Sequence, residues 1–229
     1  GLSSAAIIFL QKDLGTMMII VAIFGVMFLA SPILKEDKIK TIGILVVVAL
    51  IGILGMKAIK GYVLTEAQMA RFNFFNPCTR YEKGGYQVCN GFIALNDGGL
   101  LGLGIGKSKQ KYSYIAEPHT DSIFAIIGEE LGFVRSSIIF IAYIFILYRI
   151  LMLSSKASTI RGKYICLGVA VYLFAHIFLN LGGILGIIPL TGVPLPFLSY
   201  GGSFTISFIV ALTLVQRTAI ETSRTKISL

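Results

Sequence analysis

Glu117-Pro118-His119-Thr120-Asp121 is the densest run of titratable groups in the chain, and it stands directly before an apolar stretch. A carboxylate close to a substrate hydroxyl can act as a general base, which makes Asp121 the first candidate for chemistry. The bland alternative is that Asp121 caps the following helix by accepting amide hydrogen bonds from its first turn. His119 alone reads as a structural hydrogen-bonding residue. Upstream, Lys107, Lys109 and Lys111 alternate with Ser108 and Gln110, next to Tyr112 and Tyr114. Ammonium groups act as point charges for phosphate, so this segment suits a pyrophosphate or an anionic lipid head group. Its alternative is a solvated basic loop near lipid.

Other groups are weaker candidates. Gly102-Leu103-Gly104-Ile105-Gly106-Lys107-Ser108 ends like a phosphate-binding P-loop, but Leu101 occupies the place of the required first glycine and no strand precedes it. Glycines that allow tight turns and close packing at a membrane surface explain the run better. Glu129 and Glu130 would be costly against lipid, and Arg135 is their expected partner. His176 and Asn180, four apart, are expected to make interhelical hydrogen bonds. Pro189, Pro194 and Pro196 exclude a regular spanning helix across 188–203. Irregular backbone at membrane depth is tolerated where it is buried in protein or lines a wet cavity, so this segment should wall a pocket beside Asp121.

The elements that must position these residues follow from composition. Of 229 residues, 55% are hydrophobic and only 14% charged, against about a quarter charged in a soluble domain. That balance excludes a water-soluble globule and predicts an all-α, polytopic transmembrane bundle. Apolar runs place spans at about Leu14–Leu34, Ile42–Met56, Phe133–Leu153, Tyr164–Leu181 and Ser203–Val215, with a short helix at the membrane lip before the third. The first apolar stretch is too short to span and lacks signal-peptide features, so the chain reads as the C-terminal part of a larger bundle. A single integral-membrane domain is expected over residues 1–229, with 57–121 as a long extracytoplasmic loop.

The net charge of +9 would raise nucleic-acid binding in a soluble protein. Here no basic stripe with interleaved aromatics forms a groove, and no nucleic acid is expected. The basic residues instead crowd short loops: Lys35, Lys38 and Lys40; Lys156, Arg161 and Lys163; Arg217, Arg224 and Lys226. With the five spans, these segments share one side, which the positive-inside rule makes the cytoplasm. Cys78 and Cys89 then lie outside; independent small residues are expected there, with a disulfide as the alternative in an oxidising exterior.

Several stretches, in order along the chain, resemble one family. Gly98-Gly99-Leu100-Leu101-Gly102-Leu103-Gly104-Ile105-Gly106, Glu117 to Ala125, Gly128-Glu129-Glu130-Leu131-Gly132 and Pro194 to Ser203 are similar to motifs of the bacterial shape, elongation, division and sporulation (SEDS) membrane proteins. Gln11-Lys12-Asp13-Leu14-Gly15 resembles a further motif, with Lys12 where proline is usual. Asn90-Gly91 stand where many members have Gln-Ser, and Ser122 where phenylalanine is frequent. The loop pattern leans towards the division or sporulation branch.

The resemblance implies a peptidoglycan glycosyltransferase of the bacterial cytoplasmic membrane that polymerises lipid II at the outer face, paired with a class B penicillin-binding transpeptidase. Asp121 matches the essential acidic residue, implied to deprotonate the acceptor GlcNAc 4-hydroxyl, which displaces undecaprenyl pyrophosphate with inversion. Lys109, Lys111, Glu117, His119, Ser199 and Tyr200 are the expected substrate-binding residues. No cofactor is assigned; a divalent cation is the candidate for offsetting leaving-group charge, with its ligands unknown. A lipid II flippase and a noncatalytic scaffold for the transpeptidase are the alternatives. Against transport, the titratable groups gather in the outside loop rather than within the spans.

Overall fold

In the computed structural model, residues 8, 11, 13–60, 77–79, 85–115 and 118–227 are described. They form helices α1 (Leu14–Ala30), α2 (Lys35–Lys60), α3 (Tyr86–Gly98), α4 (Gln110–Ser113), α5 (Ile123–Lys156), α6 (Ile160–Ile184) and α7 (Gly202–Ile227), with no strand among the described residues. The starts of α1 and α6 carry side-chain caps: Asp13 accepts from Thr16 N, and Thr159 from Gly162 N. Ser31-Pro32 closes α1, since proline cannot donate into a continuing helix.

Among the described residues, three helices are long and apolar enough to cross a membrane: Ile123–Lys156, Ile160–Ile184 and Gly202–Thr225; α1 is a shorter apolar helix. Their exposed surface is hydrophobic, with Ile138, Ile141 and Phe145 about three-fifths exposed, while Ser136, His176 and Asn180 are buried. Such a surface is stable against lipid and not against water. The molecule is therefore an all-α, multi-pass membrane protein. Helix α6 is its centre, packed against α1, α5 and α7. Cys166 and Leu173 of α6 are fully buried, and Leu195 of the proline-rich segment joins the same core.

The expected lip helix and span are both present, as the two parts of α5 on either side of a break at Gly132, whose φ of 77° is non-helical and favours glycine. The break frees backbone groups that the glycine run 98–104 takes up. Leu103 N and Gly104 N donate to the Glu129 and Glu130 carbonyls at 3.0 and 2.9 Å, while Phe133 N and Val134 N donate to Gly99 O and Leu100 O at 2.8 and 3.2 Å. A Cβ on Gly132 would stand 2.3 Å from Gly102 N, so this splice leaves no room for a side chain.

Three expectations are corrected. The long loop contains α3, which packs on α5; mixed polarity over 13 residues hid it from a search for spans. Cys78 and Cys89 are not independent but form a disulfide, because α3 turns Cys89 inward to within 4.9 Å (Cα–Cα) of Cys78. Arg135 does not pair with the glutamates. It lies beyond the break at Gly132 and donates to Leu101 O at 3.3 Å, while Glu129 holds Ser108 and Lys109, and Glu130 faces Lys111.

Candidate active site

Asp121 lies between the loop and α5 and is 8% exposed. Three successive carbonyls fix the backbone there. His119 O accepts from Tyr200 N at 2.9 Å, Thr120 O from Ser199 Oγ at 2.5 Å, and Asp121 O from Asn180 Nδ2 at 2.7 Å. Asn180 also donates to Val193 O at 2.8 Å, and Ser199 Oγ accepts from Leu195 N at 2.7 Å. Tyr143 donates to Pro196 O, and His176 Nδ1 lies 3.1 Å from Pro194 O. Side chains of α5 and α6 thus satisfy carbonyls in the proline-rich segment, which is how irregular backbone survives at this depth. The interhelical bonds expected of His176 and Asn180 are not what the structure shows: both side chains bond to loop backbone, at Pro194 O, Val193 O and Asp121 O.

Among the described residues, neutral donors alone meet the Asp121 carboxylate. Gln87 Nε2, on α3, lies 3.3 and 3.4 Å from its two oxygens and 2.8 Å from Ser122 Oγ; the Thr120 and Ser122 hydroxyls each lie 3.4 Å from Oδ1. Gly192 closes the opposite side, where an added Cβ would be 3.7 Å from Oδ2. Burial pushes the carboxyl above its ordinary range, opposed in part by Gln87, its own backbone amide, Thr120 and Ser122. The capping alternative is not what the structure shows: Ser122 is the N-cap of α5, with no side-chain cap bond.

The other expected residues divide. The Ser199 hydroxyl is engaged with backbone on both sides, so it supports the Asp121 turn. Tyr200 is 81% exposed and His119 is exposed, and their mutual backbone bond places both at the rim of the site. Lys109 has an exposed side chain, and Lys111 lies 3.6 Å from Glu130. Glu117 lies outside the described residues, as does Lys12. Sequence reasoning missed Gln87 and the contact role of Ser122. The available signal was Gln87 and Asn90 three apart, on one face of a helix not foreseen.

A divalent cation needs several oxygen ligands. Among the described residues no group of three or more His, Cys, Asp or Glu side chains lies together, and no step is routed through a divalent cation. A cavity of about 540 Å³ between α5 and α6 is walled by apolar residues including Phe133, Phe140 and Phe174, and Asp121 is not among its walls.

Fold and site define a polytopic membrane protein carrying a recessed acidic site at one end of its bundle. The chain belongs to the FtsW/RodA/SpoVE family, described as cell cycle proteins, whose family model matches residues 2–224. This bears out the family resemblance of the sequence motifs. The chain is 35% identical to the probable peptidoglycan glycosyltransferase FtsW of Bacillus subtilis (strain 168), over 91% of this chain and 52% of that protein. It is 32% identical to stage V sporulation protein E of the same organism, over 92% of this chain and 55% of that protein. The chain thus spans about half the length of these curated relatives. Among solved structures, it shares its fold with a chain in work described as the structural coordination of polymerization and crosslinking by a peptidoglycan synthase complex. The TM-score is 0.65 at 24% identity, covering 93% of this chain and 57% of that one.

Proposed function

We propose that this chain is the catalytic portion of a peptidoglycan glycosyltransferase that polymerises lipid II at the outer face of the bacterial cytoplasmic membrane. Asp121 is its general base. The carrying observation is a recessed carboxylate met, among the described residues, by the neutral donors Gln87, Thr120 and Ser122, with its pKa raised by burial. A carboxylate paired to a cation would be a weaker base, and one capping a helix would have its oxygens occupied. The relatives named as peptidoglycan glycosyltransferases support the reaction class.

In this reading the Asp121 carboxylate takes the proton of the acceptor GlcNAc 4-hydroxyl. The freed oxygen forms a bond to the anomeric carbon of the donor, and the bond from that carbon to the diphosphate oxygen breaks on the opposite face, giving inversion. Undecaprenyl diphosphate leaves with the electron pair. Tyr200 and His119, exposed at the rim, stand where the sugars approach. A class B penicillin-binding transpeptidase is the proposed partner, supported by the pairing of polymerization with crosslinking in the described work on the structural relative.

Asp121→Asn in the full-length protein tests the base. The amide keeps size and most hydrogen bonding, so insertion and accumulation should be normal. Removing a general base costs on the order of a hundred- to ten-thousandfold in rate, and polymer from lipid II should all but disappear. Near-normal polymer yield in a reconstituted assay would sink the mechanism, and a transporter or scaffold would be indifferent to the change.

A further inference from the structure

Glu129 is fully buried before the break in α5, and its side chain takes no part in the Asp121 contacts. One short segment occupies both carboxylate oxygens: Ser108 Oγ donates to Oε2 at 2.5 Å and Lys109 N to Oε1 at 2.8 Å. Ser108 Oγ accepts in turn from Lys111 N at 3.1 Å, and the Lys111 ammonium lies 3.6 Å from Glu130 Oε1. Burial alternates along the segment, with Ser108 and Gln110 inside and Lys107 and Lys109 exposed. The anchor holds the backbone and leaves two ammonium groups outward.

The far end of the segment is moored as well. Asn90 Nδ2 donates to Tyr114 O at 2.8 Å, and Gln87, on the same face of α3, meets Asp121. Three residues of helix, about 4.5 Å of rise, separate these two moorings. The basic arm and the base therefore hang from neighbouring positions on α3, and both are fixed to α5.

We propose that Glu129 is a positioning residue that folds residues 107–111 into a preformed arm, which binds the diphosphate of the lipid-linked donor through Lys107 and Lys109. This rests on the reading of the site as a glycosyltransferase. Two cations on a fixed backbone match the standing negative charge of the donor diphosphate, and an arm ordered before binding loses less entropy on meeting it.

The test uses full-length protein in proteoliposomes. Glu129→Leu should raise the KM for lipid II about tenfold while kcat falls less than about threefold, and Lys109→Ala should do the same. Glu129→Gln retains an acceptor for Lys109 N and a donor for Ser108 Oγ, so its KM should return close to wild type. A second readout needs no polymerisation. Modification of Lys107 and Lys109 by an amine-reactive reagent, followed by mass spectrometry, should be slowed by undecaprenyl diphosphate but not by undecaprenol, and Glu129→Leu should abolish that protection. Unchanged KM and intact protection in a normally accumulating Glu129→Leu protein would overturn the proposal. If Glu129→Leu does not accumulate, Ser108→Ala and Lys109→Ala decide, and unchanged KM in both overturns it. Failure of the wider reading shows separately, as an Asp121→Asn protein that still polymerises while protection persists.

Discussion

Asp121 sits among amide and hydroxyl donors, and that setting carries a pH prediction. Burial is the largest influence and lifts its pKa above the ordinary 3.8, while Gln87 is first among the groups that lower it. The base works ionised, so the rate should rise with pH through the raised pKa. Gln87→Leu removes a donor that stabilises the ionised form, moving the acid limb of the pH–rate profile to higher pH, with activity recovering towards wild type on the alkaline side. Of the titratable groups around it, His119 is its neighbour in the chain, and the bonds of His176 and Tyr200 go to Pro194 O and His119 O rather than to the carboxylate. The shift should therefore persist in a His119→Gln background; a profile unmoved by Gln87→Leu removes Gln87 from this role. Asp121 was legible as a candidate because Glu117 to Asp121 is a titratable run ahead of an apolar helix. Its surroundings were not legible, since Gln87 lies far upstream and carries no charge to mark it.

At the scale of elements, long apolar runs foretold α5, α6 and α7, because the bilayer demands length and hydrophobicity that a sequence displays openly. The helix α3 escaped, being short, half polar and fitted to protein rather than lipid, and with it went the Cys78–Cys89 bridge. The break at Gly132 was foreseen as an interruption, but its partner was not. The glycine run 98–104 makes sense only as the strip that takes up the broken helix's amides and carbonyls. That pairing predicts that Gly132→Ala is destabilising. A side chain in this backbone region costs about 1–3 kcal/mol, before the contact with Gly102 N at 2.3 Å is relieved. Thermal unfolding in detergent should show a clear loss of stability. Gly25→Ala in α1, where an added Cβ meets nothing within 4 Å, should be neutral or stabilising through helix propensity. Equal melting of both variants would disprove the splice as a structural joint.

At the scale of the molecule, the bundle has two chemically distinct ends, and the last prediction concerns which faces the cell interior. Tyr164 OH donates to Ala30 O at 3.0 Å and Ser158 N to Thr222 Oγ1 at 3.4 Å, which gathers the 31–40 turn, the 156–163 turn and the tail at one end. Those segments hold Lys35, Lys38, Lys40, Lys156, Arg161, Lys163, Arg217 and Arg224. The other end holds Asp121, the α3 loop and the largely uncharged proline-rich segment. Basic residues in short loops are retained in the cytoplasm during insertion, so the acidic site should face outward, where a cell-wall polymer is built. Ser108 is buried against Glu129 and would be a poor place for a probe, whereas Tyr112 is 72% exposed and Ser223 is exposed. Single cysteines at these positions, with Cys166→Ala and the Cys78–Cys89 bridge left intact, give a clean reading. In intact cells a membrane-impermeant maleimide should label Tyr112→Cys and spare Ser223→Cys until the membrane is opened. The reverse pattern would turn the molecule over and place Asp121 on the wrong side of the membrane for polymerising an exported substrate, removing the proposed function together with the topology.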